Sequence, residues 1–536
     1  MHAPNARMTV VTLGLSFLVF AMMGCRKETH TRDMGVREST NACAEAAPSQ
    51  IGSVRLAKDQ IYWAIYDHFN KVKAYRVMAD LPEEIKGTSG WNHSPDSLPM
   101  TPGFTKTLFK ALKATAPEIV AALPEALSCT DGPCLIQLLD PFIGSVYGAS
   151  PHRETQRKVL LEYMNQLIKD GETPLRALEE GIFLSLTSPQ FLFHKMERDP
   201  QGAYTAHSFA KSISLALWRS LPDQELSRMA ENRTIFNVVK LDRKLKTMLA
   251  DVKSTRFTNS FVDQWTGIEN LPKLVDSETA ALLMNETRYF FREMLVQDWD
   301  VRDLIYSDKV MMNNELAAYY FDYKGDELGS ALRSMNFSKL VNMGIAQKGE
   351  FRGGIATQAA FLTTYSHRSK TSPVKRGKWL SEHFIGGKID PPNNLPDEKE
   401  EEENGPQTAR QASEKRMEDP TCAGCHQFMD PYGLALDSYD RRGIWRTTIG
   451  EDRIDSSGNH HGEQFGTAAE MLNLLRGDER DTFSQEFALD MLSFLTSRHP
   501  QEHEQCRKES LQTGFASKHN LGLLIRGIIN SSFMKK

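Results

Sequence analysis

Apolar residues in this chain recur mostly every three to four positions, and long strict alternation is absent. That spacing predicts helices rather than strands. Ile61, Trp63, Ala64, Ile65 and Phe69 form the first such stripe. A Gly/Ser/Pro-rich loop spans Lys86 to Gly103, and helix resumes at Phe104–Ala116, where Pro117 is expected to break or restart it. Two or three helices are expected over 135–200, the Leu175 to Met196 run being interrupted by Pro189. The clearest amphipathic patterns are Ser208–Trp218, Arg256–Trp265 and Glu286–Val296. In Ser220-Leu221-Pro222-Asp223, Pro222 suits the first position of a helix. Trp265, Phe290 and Phe291 read as aromatic core of a helical bundle rather than a ligand box.

Past residue 350 the character changes. Arg352-Gly353-Gly354 opens an apolar segment, Ile355 to Tyr365. A polar, basic loop from Ser366 through His367 to Gly377 leads into a helix at Lys378–Phe384. Residues 387–416 read as a linker, with Pro391, Pro392 and Pro396 and an acidic run from Glu398 to Glu403. Helices at Thr467–Leu475, Phe483–Leu495 and Leu521–Ile529 close the chain. The expected fold class is mainly α. Multi-helical N-terminal and central regions precede this region of changed character and a C-terminal helical segment.

The 536 residues suggest two to four domains, and a net charge of -5 gives no case for nucleic-acid binding. The N-terminus reads as a targeting segment. Arg7 is followed by an apolar run from Thr9 to Met23, too short for a comfortable membrane span. Gly24-Cys25 then precedes Arg26 and Lys27, which resembles a bacterial lipobox. The expectation is a signal peptide over 1–24 and lipid on Cys25, with plain secretion as the alternative. Residues 25–50 form a tether, and membrane contact comes only through lipid. The chain is then exported and anchored to a bacterial membrane, the outer membrane on its periplasmic or surface side.

Export changes the reading of the seven cysteines, because disulfides persist outside the cytoplasm. Cys129 and Cys134, flanking Thr130-Asp131-Gly132-Pro133, are the preferred pair, leaving Cys43 and Cys506. Three connectivities exist for these four, and spacing does not choose among them.

The strongest chemical signal is Cys422-Ala423-Gly424-Cys425-His426. Cys-x-x-Cys alone serves zinc, disulfide exchange or haem. The adjoining His narrows it to the c-type haem attachment signature. No second Cys-x-x-Cys offers a zinc partner set, and no βαβ pattern supports a thioredoxin site. Cys422 and Cys425 are therefore expected to hold one covalent haem c, with His426 as the proximal iron ligand. Pro431 and Gly433 are expected to end that helix. Pro431, Tyr432, Leu434 and Trp445 are candidates for the haem surround. Candidates for the sixth iron position are Met471, Met491 and His367, with His460 and His461 also in range and an open iron as an alternative. Met429 lies too close to His426 to reach the opposite face. The basic loop reads as a solvated surface, or as a contact for haem propionates or an acidic polymer. Asp437 and Asp440 read as turn carboxylates rather than an acid/base pair, and Asp455 to Asn459 as a turn rather than a calcium loop.

Several stretches resemble the planctomycete-type cytochrome c family, large exported proteins with consecutive regions numbered DUF1595, DUF1592, DUF1588 and DUF1585. Leu221-Pro222-Asp223-Gln224-Glu225-Leu226 and Phe261-Val262-Asp263-Gln264-Trp265 resemble the DUF1592 region, over 201–345. Arg352-Gly353-Gly354, Thr371 to Trp379 and Cys422 to Trp445 resemble DUF1588, over 350–465. Ile528 to Phe533 resembles DUF1585, over 466–536. Cys129 and Cys134 before a helix resemble DUF1595, from about 120 within the helical region 51–200. The resemblance implies one haem and an extracytoplasmic setting, and no substrate. The functional expectation is an exported monohaem c-type cytochrome with a redox partner protein. The alternatives are a haem-dependent oxidative enzyme and a surface scaffold with structural haem. No Gly-x-Ser-x-Gly or His-Glu-x-x-His occurs to support hydrolase chemistry.

Overall fold

The computed structural model describes residues 53–535, apart from 149, 151, 196, 200–203, 322–335, 339–350 and 390–407. The expected signal peptide, Cys25, the tether, Cys43 and the acidic run lie outside the described residues. What is described is mainly helical. The strands among the described residues are short and form four antiparallel pairs.

The apolar stripes assemble into two cores. The first is built by helices Lys58–His68, Pro102–Ala121, Gly132–Tyr147 and Pro174–Leu186. They bury Ile61, Ile65, Leu108, Leu112, Leu139 and Ile182 against one another. Each such side chain contributes roughly 1.5–3 kcal/mol on removal from water. Cys129 and Cys134 are disulfide-bonded at the start of Gly132–Tyr147. Asp131 caps that helix, its carboxylate accepting from the Cys134 N–H at 2.9 Å. Cys506 is also in a disulfide.

The second core runs from Phe209 to Met534, so the segments on either side of residues 345 and 465 share one apolar centre. Trp265, Phe290 and Phe291 lie inside it, as their helical spacing predicts. Trp265 meets Trp379 edge-on at 5.5 Å and stacks on Phe261 at 5.9 Å.

Polar contacts lock the cores together. The Arg256 guanidinium makes a bidentate pair with Asp67 at 2.8 and 2.9 Å and lies 4.0 Å over the Trp63 ring. Arg219, fully buried, pairs the same way with Asp59 at 2.8 and 2.9 Å. The loop expected between Lys86 and Gly103 is part of this seam. It inserts Trp91 into the second core, where the indole N–H donates to Ser493 at 3.2 Å.

Three prolines behave differently from their sequence reading. Pro117 breaks nothing: Pro102–Ala121 is one helix, held by Ala116 before the proline and Ile119 and Val120 beyond it, all buried. Pro222 is not the first helical residue. Asp223 is the cap of Gln224–Glu231, its side chain accepting from Leu226 N–H at 2.7 Å. Pro431 and Gly433 do not stop the motif helix, which runs Pro420–Ala435. Packing against helix Pro373–His383 outweighs the lost hydrogen bond there. That second helix starts inside the segment read as a basic loop.

Candidate functional site

Helix Pro420–Ala435 carries the motif. Asp419 starts it, accepting from the Thr421 N–H at 2.8 Å, and Pro420 occupies the first turn. Cys422, Cys425 and His426 follow at helical spacing, so all three share one face. They are partly exposed, and both thiols are free. The C-terminal half is buried, from Met429 through Ala435 except Pro431.

Two glycines set the depth of that half. A Cβ on Gly433 would overlap the Pro373 carbonyl oxygen, and one on Gly377 would overlap the Met429 carbonyl. Backbone thus meets backbone between the two helices. Arg376, beside Gly377, is fully buried and donates to the carbonyls of Leu436 and Tyr439 at 2.8 and 2.7 Å. Burial pushes its guanidinium down to about 10, against the raising effect of Asp437. Part of the basic stretch is therefore an internal clamp on the segment after the motif.

His426 is oriented from behind. Its Nδ1 lies 2.9 Å from Asp430 Oδ1, one helical turn on. Asp430 Oδ2 accepts from Ser413 at 2.6 Å and from Arg416 at 3.1 Å. Burial raises the Asp430 carboxyl. The hydrogen bonds from His426 and Ser413, with the Arg416 charge, outweigh this and hold it below its ordinary value. An ionised carboxylate only accepts, so Nδ1 carries a proton and Nε2 is the ring nitrogen left to face a ligand. A carboxylate behind a ligating imidazole fixes its tautomer and raises its basicity. Asp430, Ser413 and Arg416 were not singled out in the sequence. The only signal was an acid one turn after the His, inside an Asp-Pro pair that reads as a turn.

The other expected residues are dispersed. Tyr432 is buried, its hydroxyl 2.8 Å from His460 Nδ1. Leu434 is buried, Pro431 is half-buried, and Trp445 packs edge-on against Tyr439 at 5.3 Å. Met471 and Met491 are fully buried in the second core, where they pack as core methionines. His367 sits in a turn closed by the Ser366–Thr371 bridge, its Nδ1 3.5 Å from Lys375 Nζ. Asp437 accepts from Thr371 at 2.7 Å and Arg446 at 3.0 Å. Asp440 holds a turn through the N–H groups of Arg442 and Ile444, both at 2.8 Å. Asp455 does the same through Ser457 N–H at 2.9 Å. No helix among the described residues is long and apolar enough to cross a membrane.

Residues 204–321 match the family model PSD4, a protein of unknown function (DUF1592). Residues 352–449 match PSCyt3, also a protein of unknown function (DUF1588), and this match contains the whole motif helix. No curated protein and no solved structure matches the chain. The chain thus carries a PSD4 and a PSCyt3 domain in sequence, the domains of the planctomycete-type cytochrome family that it resembles, and the PSCyt3 match suggests a cytochrome-like region at 352–449.

Proposed function

We propose that the chain is an exported monohaem c-type cytochrome that exchanges electrons with a protein partner. The observation that carries this is the single helix face bearing Cys422, Cys425 and His426, with the imidazole held from behind by Asp430. The donor set fits the group: two free thiols for thioether bonds and a ring nitrogen presented for iron. Met417 and Phe428, both exposed, add apolar surface close to the motif in sequence. A bound haem would supply a one-electron Fe(III)/Fe(II) couple. The residues of this chain attach it, orient the iron ligand and set the polarity behind that ligand. Lipid on Cys25 would hold the protein at the membrane, and the tether would give it reach toward its partner.

The test is Cys425→Ser, expressed with the export and haem-attachment machinery. Wild-type protein is expected to keep peroxidase stain on a denaturing gel, and the variant to lose most of it. Full stain in the variant would rule out attachment at this motif.

A further inference from the structure

Beyond the motif, three ligating groups meet where a hairpin touches a helix junction. Strands Gly458–His460 and Glu463–Phe465 pair with His460 opposite Glu463, leaving His461-Gly462 as the turn. Both turn residues have positive φ, 48° at His461 and 95° at Gly462. Asn-Gly is the usual choice for such a turn. Here His occupies the strained first position, and its ring centroid lies 4.2 Å from that of His460.

Glu479 lies between helices Ala468–Asp478 and Arg480–Thr496 and is buried. Its Oε1 is 3.4 Å from His460 Nε2 and 3.3 Å from His461 Nε2. His460 is 1% exposed, and its Nε2 makes no hydrogen bond although it faces that carboxylate. A buried ring nitrogen without a hydrogen bond, beside a carboxylate oxygen, needs an explanation, and a bound cation between them is one. The spacing suits one. Tetrahedral zinc with bonds of roughly 2.0–2.1 Å has ligand–ligand edges of about 3.3–3.4 Å. The three ligand atoms all lie within 4.8 Å of one another.

We propose that His460, His461 and Glu479 bind one divalent transition-metal ion of the zinc kind. Two imidazoles and a carboxylate are a zinc donor set, and a fourth position is filled by water. The His461 side chain is 71% exposed, so the ion reaches the site from solvent. Tyr432 completes the site from behind, its hydroxyl accepting from His460 Nδ1–H at 2.8 Å and leaving Nε2 for the metal. Tyr432 stands on the motif helix, which ties the metal site to the haem-attachment region. The site does not depend on haem being attached.

The test uses the full chain, stripped with EDTA and alkylated so that Cys422 and Cys425, if free, cannot bind zinc. Zinc chloride is added, the protein is gel-filtered, and zinc per chain is counted by mass spectrometry. One equivalent is expected in the wild type. His461→Ala, at an exposed turn, is expected to weaken zinc binding at least tenfold with an unchanged circular dichroism spectrum. Tyr432→Phe is expected to weaken it by about 10–100-fold. A wild type that retains no zinc, or a His461→Ala chain that binds as tightly as wild type, would overturn the proposal.

Discussion

At the scale of single residues, the most informative contact is the one behind His426. The thiols and imidazole are legible as a string of letters, but the carboxylate that orients the ring is not. Asp430 sits in an Asp-Pro pair, and such pairs ordinarily signal a turn. Only the continuing helix puts its carboxylate 2.9 Å from Nδ1, and only tertiary packing brings in Ser413 and Arg416. In the proposed haem protein, a charged acceptor behind the imidazole favours ferric iron. Asp430→Asn is therefore expected to raise the midpoint potential, by an amount on the order of tens of millivolts. An optical redox titration measures it, and an unchanged potential would remove Asp430 from the account. Asp440 shows the opposite case, its turn chemistry being readable locally, whereas Asp437, read the same way, is buried and accepts from the distant Thr371 and from Arg446.

At the scale of elements, helix positions were readable and helix ends were not. Periodicity located Arg256–Trp265 within the helix Thr255–Thr266, and Leu521–Ile529 within Leu521–Asn530. It failed at prolines, because the lost hydrogen bond is a local cost while the packing that offsets it comes from distant residues. Pro117 sits over a buried Ala116, Ile119 and Val120 face, and Pro431 lies where two helices meet backbone to backbone. Gly433 shows how tight that contact is. Gly433→Ala drives a methyl into the Pro373 carbonyl, and neither backbone can yield cheaply. A loss of about 2 kcal/mol or more is expected in urea denaturation. An alanine chain as stable as wild type would mean that the helices lie farther apart.

At the scale of the whole molecule, composition and periodicity announced a large helical protein. They could not show that the three downstream segments share one core, since that depends on contacts hundreds of residues apart. The seam between the cores is held partly by charge. Burial raises the Asp67 carboxyl, but hydrogen bonding and charge from Arg256, with Lys253, bring it down from 3.8 to about 2. A folded value below the ordinary one stabilises the protein fully above about pH 4. The contribution of about 2 kcal/mol is lost as the pH falls through 2, with roughly half gone at pH 3. Asp67→Asn also strands Arg256 and is expected to cost about 3 kcal/mol at pH 7. The difference from wild type should shrink on acidification. Urea titrations at pH 7 and pH 3 measure this, and a difference independent of pH would show that the ion pair does not bind the cores together.

These scales meet in the motif helix, whose exposed face is read as the place of haem attachment. The most direct test is mass spectrometry of the peptide containing Thr421 to His426, from protein made with the haem-attachment machinery and alkylated after denaturation. The expected peptide carries one haem and no alkyl group on Cys422 or Cys425. A peptide alkylated at both cysteines, without haem, would contradict the account.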